Sequence, residues 1–164
     1  MARTIDRDKR HLTEVLRAAA VHEGAALVEI YQNCPVFNDG AFAALTEKGV
    51  KDANQIRLEA GQPIRFGVDG ERGVARGADG SLAIVAVDDV GEDALIVHDP
   101  TKMDPGLVFS LARLAEDPTG PTPIGIFRSV QRPVYGRPSK ILPDPVSDDE
   151  LAELLARGDT WTVA

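Results

Sequence analysis

A helix that runs directly into a strand is the tightest constraint in this sequence. Within residues 6–22, Leu12, Val15, Leu16 and Ala19 fall at i, i+3, i+4 and i+7. That spacing makes one apolar stripe on a helix. Asp6 stands where an N-cap belongs and Gly24 where a helix stops. Residues 25–31, AALVEIY, follow at once and read as a short strand. A helix feeding a buried strand is the second half of a βαβ unit, which belongs to α/β layers. The helix starts so close to residue 1 that the first strand of the unit is expected to be missing from this chain.

The rest of the chain reads as smaller pieces. Residues 42–48 suggest a helical turn. Residues 63–68 (PIRFGV), 73–76 and 82–87 (LAIVAV) are extended runs separated by Asp69-Gly70 and Asp79-Gly80. Asp-Gly suits a type I′ hairpin turn, which needs positive φ at both central residues. A small antiparallel meander is therefore expected over residues 63–88. Residues 94–98 (ALIVH) and 123–130 (PIGIFRSV) read as strands. Leu107, Val108, Leu111 and Leu114 place a helix over residues 106–115. Pro133, Pro138, Pro143 and Pro145 mark an extended arm. Ser147 and Glu150 then form a capping box. The helix they open runs to Arg157, with Gly158 as its C′ residue and Leu151, Leu154 and Leu155 in need of cover. The expected division is residues 1–48, 49–132 and 133–164.

Charge and motif tests exclude several functions. The 164 residues carry a formal net charge of −8. With no basic excess to displace counterions, nucleic acid is not an expected partner. An anionic membrane surface is disfavoured for the same reason. MARTIDRDKRH lacks the apolar region of a signal peptide. No apolar run approaches the roughly 20 residues of a membrane span. The single cysteine forms no internal disulfide and suggests a reducing, cytoplasmic compartment. Gly67, Gly70 and Gly73 lack dinucleotide-binding spacing and read as turn glycines. No nucleophile elbow is present. Neighbours on a strand face opposite ways, so Asp99 would not orient His98. His98 reads as a core or surface residue at a strand end. His11 and His22 share a helix face about three turns apart, too far for one metal. No catalytic residue is expected.

Cys34 keeps two readings open. It is a small buried hydrophobe at a strand end, or a metal ligand, because Cys-Pro closes the bacterial ferredoxin cluster motif. A cubane cluster needs four thiolates, so a ligand role places the other three outside this sequence.

The segments EIYQNCPVFNDGAF (29–42), GQPIRFG (61–67), LIVHD (95–99), PIGIFRSVQRPVY (123–135) and GDTWTV (158–163) carry a resemblance. Together they resemble the C-terminal half of the β subunit of 2-oxoacid:ferredoxin oxidoreductases, in the 2-oxoglutarate (KorB-type) branch. The resemblance covers essentially the whole chain. It implies an α/β fold class: the C-terminal part of a thiamine-diphosphate-binding fold, with an incomplete parallel sheet and helices. A small antiparallel β-rich region and a C-terminal arm ending in a short helix follow. It implies oxidative decarboxylation of a 2-oxoacid to acyl-CoA, with electrons passed to ferredoxin. In the family, paired cysteines, a third cysteine and a Gly-Asp-Gly…Asn motif lie in the N-terminal half, and none of these is in this sequence. By resemblance Cys34 is the fourth [4Fe–4S] ligand. Asn33 and Asn38 lie in the loop near which the family places thiamine diphosphate. The complete enzyme is expected to hold thiamine diphosphate, Mg²⁺ and a [4Fe–4S] cluster, and this chain alone none. The implied partners are the N-terminal half of the β subunit, the α subunit and ferredoxin. The rival expectations are a non-catalytic truncated remnant and a subunit-docking module.

Overall fold

A computed structural model describes residues 1–117, 119–135 and 145–158. Residues Met1–Gln131 form one compact unit and Arg132–Ala164 a second. Residues 136–144 of the expected arm, and residues 159–164, lie outside the described residues.

The first strand of the βαβ unit is present, contrary to the expectation. Strand β1 is Ala2–Ile5, helix α1 is Lys9–Val21 and strand β2 is Val28–Tyr31. β1 and β2 pair in parallel, from Ala2 opposite Val28 to Ile5 opposite Tyr31. All four residues of β1 are buried. A strand buried on both faces shows no polar alternation, and ARTI is too short to display any period. The helix also starts later than Asp6. Asp8 is the N-cap, and its carboxylate accepts from the His11 N–H at 3.1 Å. The shift frees residues 2–5 for the sheet. On α1, Val15 is buried but Leu16 is 43% exposed, so the stripe is only partly used.

Helices α2 (Ala43–Thr46) and α3 (Lys51–Asn54) lead into β3 (Gln55–Leu58). Strands β4 (Arg65–Phe66), β5 (Arg72–Arg76) and β6 (Leu82–Ala86) form the small antiparallel sheet. The meander expected from the Asp-Gly pairs is therefore observed, with a different turn. The Gly77 N–H donates to Ser81 and the Gly80 N–H to Gly77, both at 2.9 Å. The β5–β6 turn thus holds three residues, with a glycine closing it at φ +81°, rather than two. Gly73 is not a turn residue but lies within β5. A Cβ there would stand 2.5 Å from the Leu95 side chain.

Helix α4 (Val87–Val90) and a 3₁₀ turn at Glu92–Ala94 follow. Residues 94–98 are not a regular strand. Leu95 and Val97 make isolated bridges to Ala75 and Pro63, because the chain passes from one neighbour to another within three residues. Helix α5 (Gly106–Arg113) and a 3₁₀ turn at Leu114–Glu116 lead to β7 (Thr122–Ile126). The larger sheet has the order β2-β1-β7-β3. β7 is antiparallel to β1 and parallel to β3, so the sheet is mixed rather than an incomplete parallel one. Ile56, Leu58, Ile64, Phe66, Val74, Leu111 and Phe127 form the main core, and Ile5, Leu45 and Ile124 a second. Each such side chain contributes about 1.5–3 kcal/mol on burial.

In the second unit, α6 (Asp148–Ala156) has the expected capping box. The Ser147 hydroxyl accepts from the Glu150 N–H at 3.2 Å, and the Ser147 N–H donates to the Glu150 carboxylate at 2.8 Å. Gly158 has φ +110°. Leu151, Leu154 and Leu155 are exposed.

Asp8 joins the helix start to the sheet, since Arg57 on β3 reaches its carboxylate at 2.7 Å. Burial alone would raise the Asp8 pKa, but the Arg57 hydrogen bond and the His11 N–H outweigh it and hold it below the usual carboxylate value. A depressed folded pKa gives stability that is complete above the unfolded value of about 3.9. That stability is lost as pH falls through the folded value. Asp8→Ala removes both cap and pair and should cost about 1–2 kcal/mol at neutral pH in denaturant unfolding. A loss within about 0.5 kcal/mol, the range of an ordinary surface change, would show that neither contact matters.

Candidate functional site

The loop after β2 is the site the sequence singled out. Its start is held firmly. The Tyr31 ring stacks on Phe42 with centroids 4.6 Å apart, and burial raises the Tyr31 pKa. The Arg3 guanidinium lies 5.3 Å from the Tyr31 centroid and pairs with Glu29 at 2.7 Å. β2 itself is not the buried strand expected from AALVEIY. It is the edge of the sheet, with Ile30 43% exposed.

Asn33 braces the loop that leaves β2. Its amide Nδ2 donates to Asp39 at 3.0 Å, and its Oδ1 accepts from the Gly40 N–H at 2.8 Å. Both ends of the side chain are therefore engaged within the loop. The backbone of Asn38 closes the turn, donating to the Cys34 carbonyl at 2.9 Å. The Asn38 side chain is exposed. Gly40 takes φ +76°, which lets the chain leave the clamp.

The N–H groups of Phe37 and Val36, with a further contribution from Asn38, hold the Cys34 thiol below its ordinary pKa. Donors aimed at a sulfur favour its charged form. Cys34 is partly exposed rather than sealed in a core. The residues beyond it, Val36 and Phe37, are 79% and 90% exposed. The structure thus brings Asn33, Cys34 and Asn38 into one small loop. The Asn33–Asp39 clamp and the N–H cluster were not foreseen, although Asn, Pro, Asp and Gly around the cysteine signal a tight turn.

Beside the loop lies a cleft of about 170 Å³, lined in part by Asp6, Arg7, Asn33, Asp39 and Glu47. It sits at the C-terminal ends of the parallel strands β1 and β2, where open α/β sheets place ligands. A larger cleft of about 490 Å³ lies around Gln55, Arg57, Glu59 and Arg65. Its arginines pair with Asp8 and Glu92.

Two of the three histidines, His98 and His11, are engaged within the fold. His98 is 1% exposed, and its Nε2–H donates to the Ile126 carbonyl at 2.8 Å. Asp99 instead accepts from Thr101. His11 bonds Thr4 at 2.7 Å, and burial, then Arg57, lowers its pKa. Among the described residues no three His, Cys, Asp or Glu side chains gather as a metal site, and no helix is long and apolar enough to cross a membrane.

The chain is similar to the 2-oxoglutarate oxidoreductase subunit KorB of Mycobacterium tuberculosis (strain ATCC 25618 / H37Rv). The two are 43% identical over 169 residues, covering 99% of this chain and 45% of the relative. This chain matches the relative's C-terminal part and spans less than half its length. The match bears out the resemblance carried by QNCPVFNDG and PIGIFRSVQRPVY. No family model and no solved structure matches the chain.

Proposed function

We propose that this chain is the C-terminal part of a 2-oxoglutarate:ferredoxin oxidoreductase β subunit, and that it contributes one thiolate, Cys34, to a [4Fe–4S] cluster. The observation that carries the reading is the KorB match over 99% of the chain, with Cys34 held in a loop whose N–H groups favour its thiolate. β1, α1 and β2 would form the end of a thiamine-diphosphate-binding fold.

The residues fit the cluster as one ligand of four. The sequence has a single cysteine, and a [4Fe–4S] cluster takes four thiolates. The other three belong to another part of the subunit. Cys34 would reach the iron without its proton. The N–H groups of Val36 and Phe37 would draw charge from the sulfur, and such hydrogen bonds raise a cluster's reduction potential. Asn33 positions the loop through Asp39 and Gly40. Of the two asparagines, Asn38 keeps its side chain available for a cofactor. When bound in the complete enzyme, thiamine diphosphate with Mg²⁺ supplies the decarboxylation chemistry, and the cluster supplies electron transfer toward ferredoxin. The α subunit and ferredoxin are the further partners of this reading.

A second reading, a docking module without chemistry, is favoured by the uncovered leucines of α6. Calorimetry separates the parts of the first reading. The chain alone should show no micromolar, Mg²⁺-dependent affinity for thiamine diphosphate, whereas a subunit reassembled with the upstream part of KorB should. Tight binding by the chain alone would overturn this division of roles. No binding by the reassembled subunit would favour the docking module.

A further inference from the structure

We propose that Arg3 is a positioning residue: its buried guanidinium, bonded to Glu29 and facing the rings of Tyr31 and Phe127, sets how the Cys34 loop stands on the sheet. The inference rests on the reading that Cys34 serves a cluster, and it names the side chain that orients that ligand.

The strand register gathers the contacts. Arg3 lies opposite Glu29, and Ile5 opposite Tyr31. Residues two apart on a strand share a face, so Arg3 and Tyr31 are diagonal neighbours on one side of the β1–β2 pair. The Arg3 Nε–H donates to the Glu29 carboxylate at 2.7 Å, and Nη1 donates to the Pro123 carbonyl at 3.4 Å. The guanidinium carbon lies 5.3 Å from the ring centroids of both Tyr31 and Phe127. Both distances are within cation–π range. Arg3 is 7% exposed, and among the described residues Glu29 is its one ion-pair partner.

The Tyr31 ring is the base of the loop. Tyr31 is the last residue of β2, and Phe42 stacks on it at 4.6 Å with an interplanar angle of 15°. Residues 32–41 run between the two rings. The bonds inside the loop, from Asn33 to Asp39 and Gly40 and from Asn38 to Cys34, fix its shape. Its attitude to the sheet is left to the stacked rings. Both rings pack on Ile5, Leu45 and Ile124, but apolar packing is non-directional. The planar guanidinium, pinned by a carboxylate and a carbonyl, adds the directional contact.

Packing alone would not require the charge. A buried guanidinium carries a desolvation cost, and an apolar side chain of similar volume at such a site is often as stable. The Glu29 side chain is 47% exposed and stays hydrated without its partner. Arg3→Met should therefore fold, and it separates packing from orientation.

The test follows amide hydrogen exchange in the full chain, and EPR in a complex reassembled with the upstream part of M. tuberculosis KorB and an α subunit. In Arg3→Met, exchange at Asn38 and Gly40 should rise at least about tenfold, while Val74, on the separate β4–β5–β6 sheet, stays unchanged. Arg3→Lys keeps the charge without the planar fork and should loosen the same two amides. Tyr31→Leu should loosen them as well. Adding Arg3→Met to Tyr31→Leu should change nothing further, because the cation acts through the ring. In the complex, Arg3→Met should keep the spin count of the cluster and shift its g values. Unchanged exchange at Asn38 and Gly40 in a folded Arg3→Met chain overturns the proposal. So do additive effects of the two substitutions, or a loosened loop with an unshifted EPR spectrum. If Val74 also loosens in Arg3→Met, the comparison of Arg3→Lys with Tyr31→Leu decides by the same criteria. A parent complex with no cluster signal refutes the cluster reading and this inference with it. A parent complex with its signal and an unresponsive Arg3→Met variant refutes this inference alone.

Discussion

Cys34→Ala, placed in a complex reassembled with a family N-terminal half and α subunit, should abolish or convert the [4Fe–4S] EPR signal. Ferredoxin reduction should fall by a factor on the order of 100 or more, since even changes outside the ligand set cost about 10–100-fold in activity. An ordinary thiol with a pKa near about 8.5 is only a few per cent thiolate at neutral pH. Cys34 departs from that baseline, because the N–H groups of Phe37 and Val36 stabilise its charged form. A ligand role uses that bias, and alanine leaves an iron without its fourth protein ligand. Substrate decarboxylation should survive, because it precedes electron transfer to the cluster. A purely structural cysteine behaves differently. Cys34 is partly exposed and lies outside both core clusters, so as a packing residue it would cost little on truncation. An unchanged EPR spectrum with normal ferredoxin reduction would reduce Cys34 to that packing role and end the cluster assignment.

Gly125→Ala should be the most damaging small substitution in the first unit, with a loss of about 3–5 kcal/mol. Gly125 lies in β7, opposite Arg3 of β1 on one side and Leu58 of β3 on the other. Its φ is +121°, which L side chains rarely adopt, and a Cβ would stand 2.9 Å from the Leu58 carbonyl oxygen. The obstruction is backbone in the adjacent strand, so no rotamer change relieves it. Backbone strain of this kind costs about 1–3 kcal/mol. Overpacking adds about 1–3 kcal/mol. Against a net stability of about 5–15 kcal/mol, this should lower the melting temperature by roughly 10 °C. Thermal unfolding of the variant within about 2 °C of the parent would show that the strands part easily and that β7 is not a rigid centre of the sheet.

Some of the structure was written in local chemistry. The capping box of α6 needs only Ser147 and Glu150 three residues apart, and Gly158 beyond its end needs only the freedom to reach φ +110°. Helix α5 follows from Leu107, Val108, Leu111 and Leu114 on one face. The β5–β6 hairpin follows from two extended runs around Asp79-Gly80. The tight turn at Cys34 was legible because the cysteine sits among Asn, Pro, Asp and Gly.

Tertiary contacts decided the rest. ARTI becomes β1 because β2 covers one edge and β7, more than a hundred residues later, covers the other. No window around residue 2 contains either partner. AALVEIY looked buried because it is apolar, yet burial depends on neighbours, and among the described residues β2 has one on one side only. The antiparallel entry of β7 between β1 and β3 made the sheet mixed, a choice that period and propensity leave open because an isolated strand reads the same in either direction. The sequence by itself determined which short segments curl, extend or turn, since those depend on torsions and on side chains a few residues apart. Only the folded chain decided which strand lies inside and which at the edge, because pairing and burial are set by residues distant in sequence.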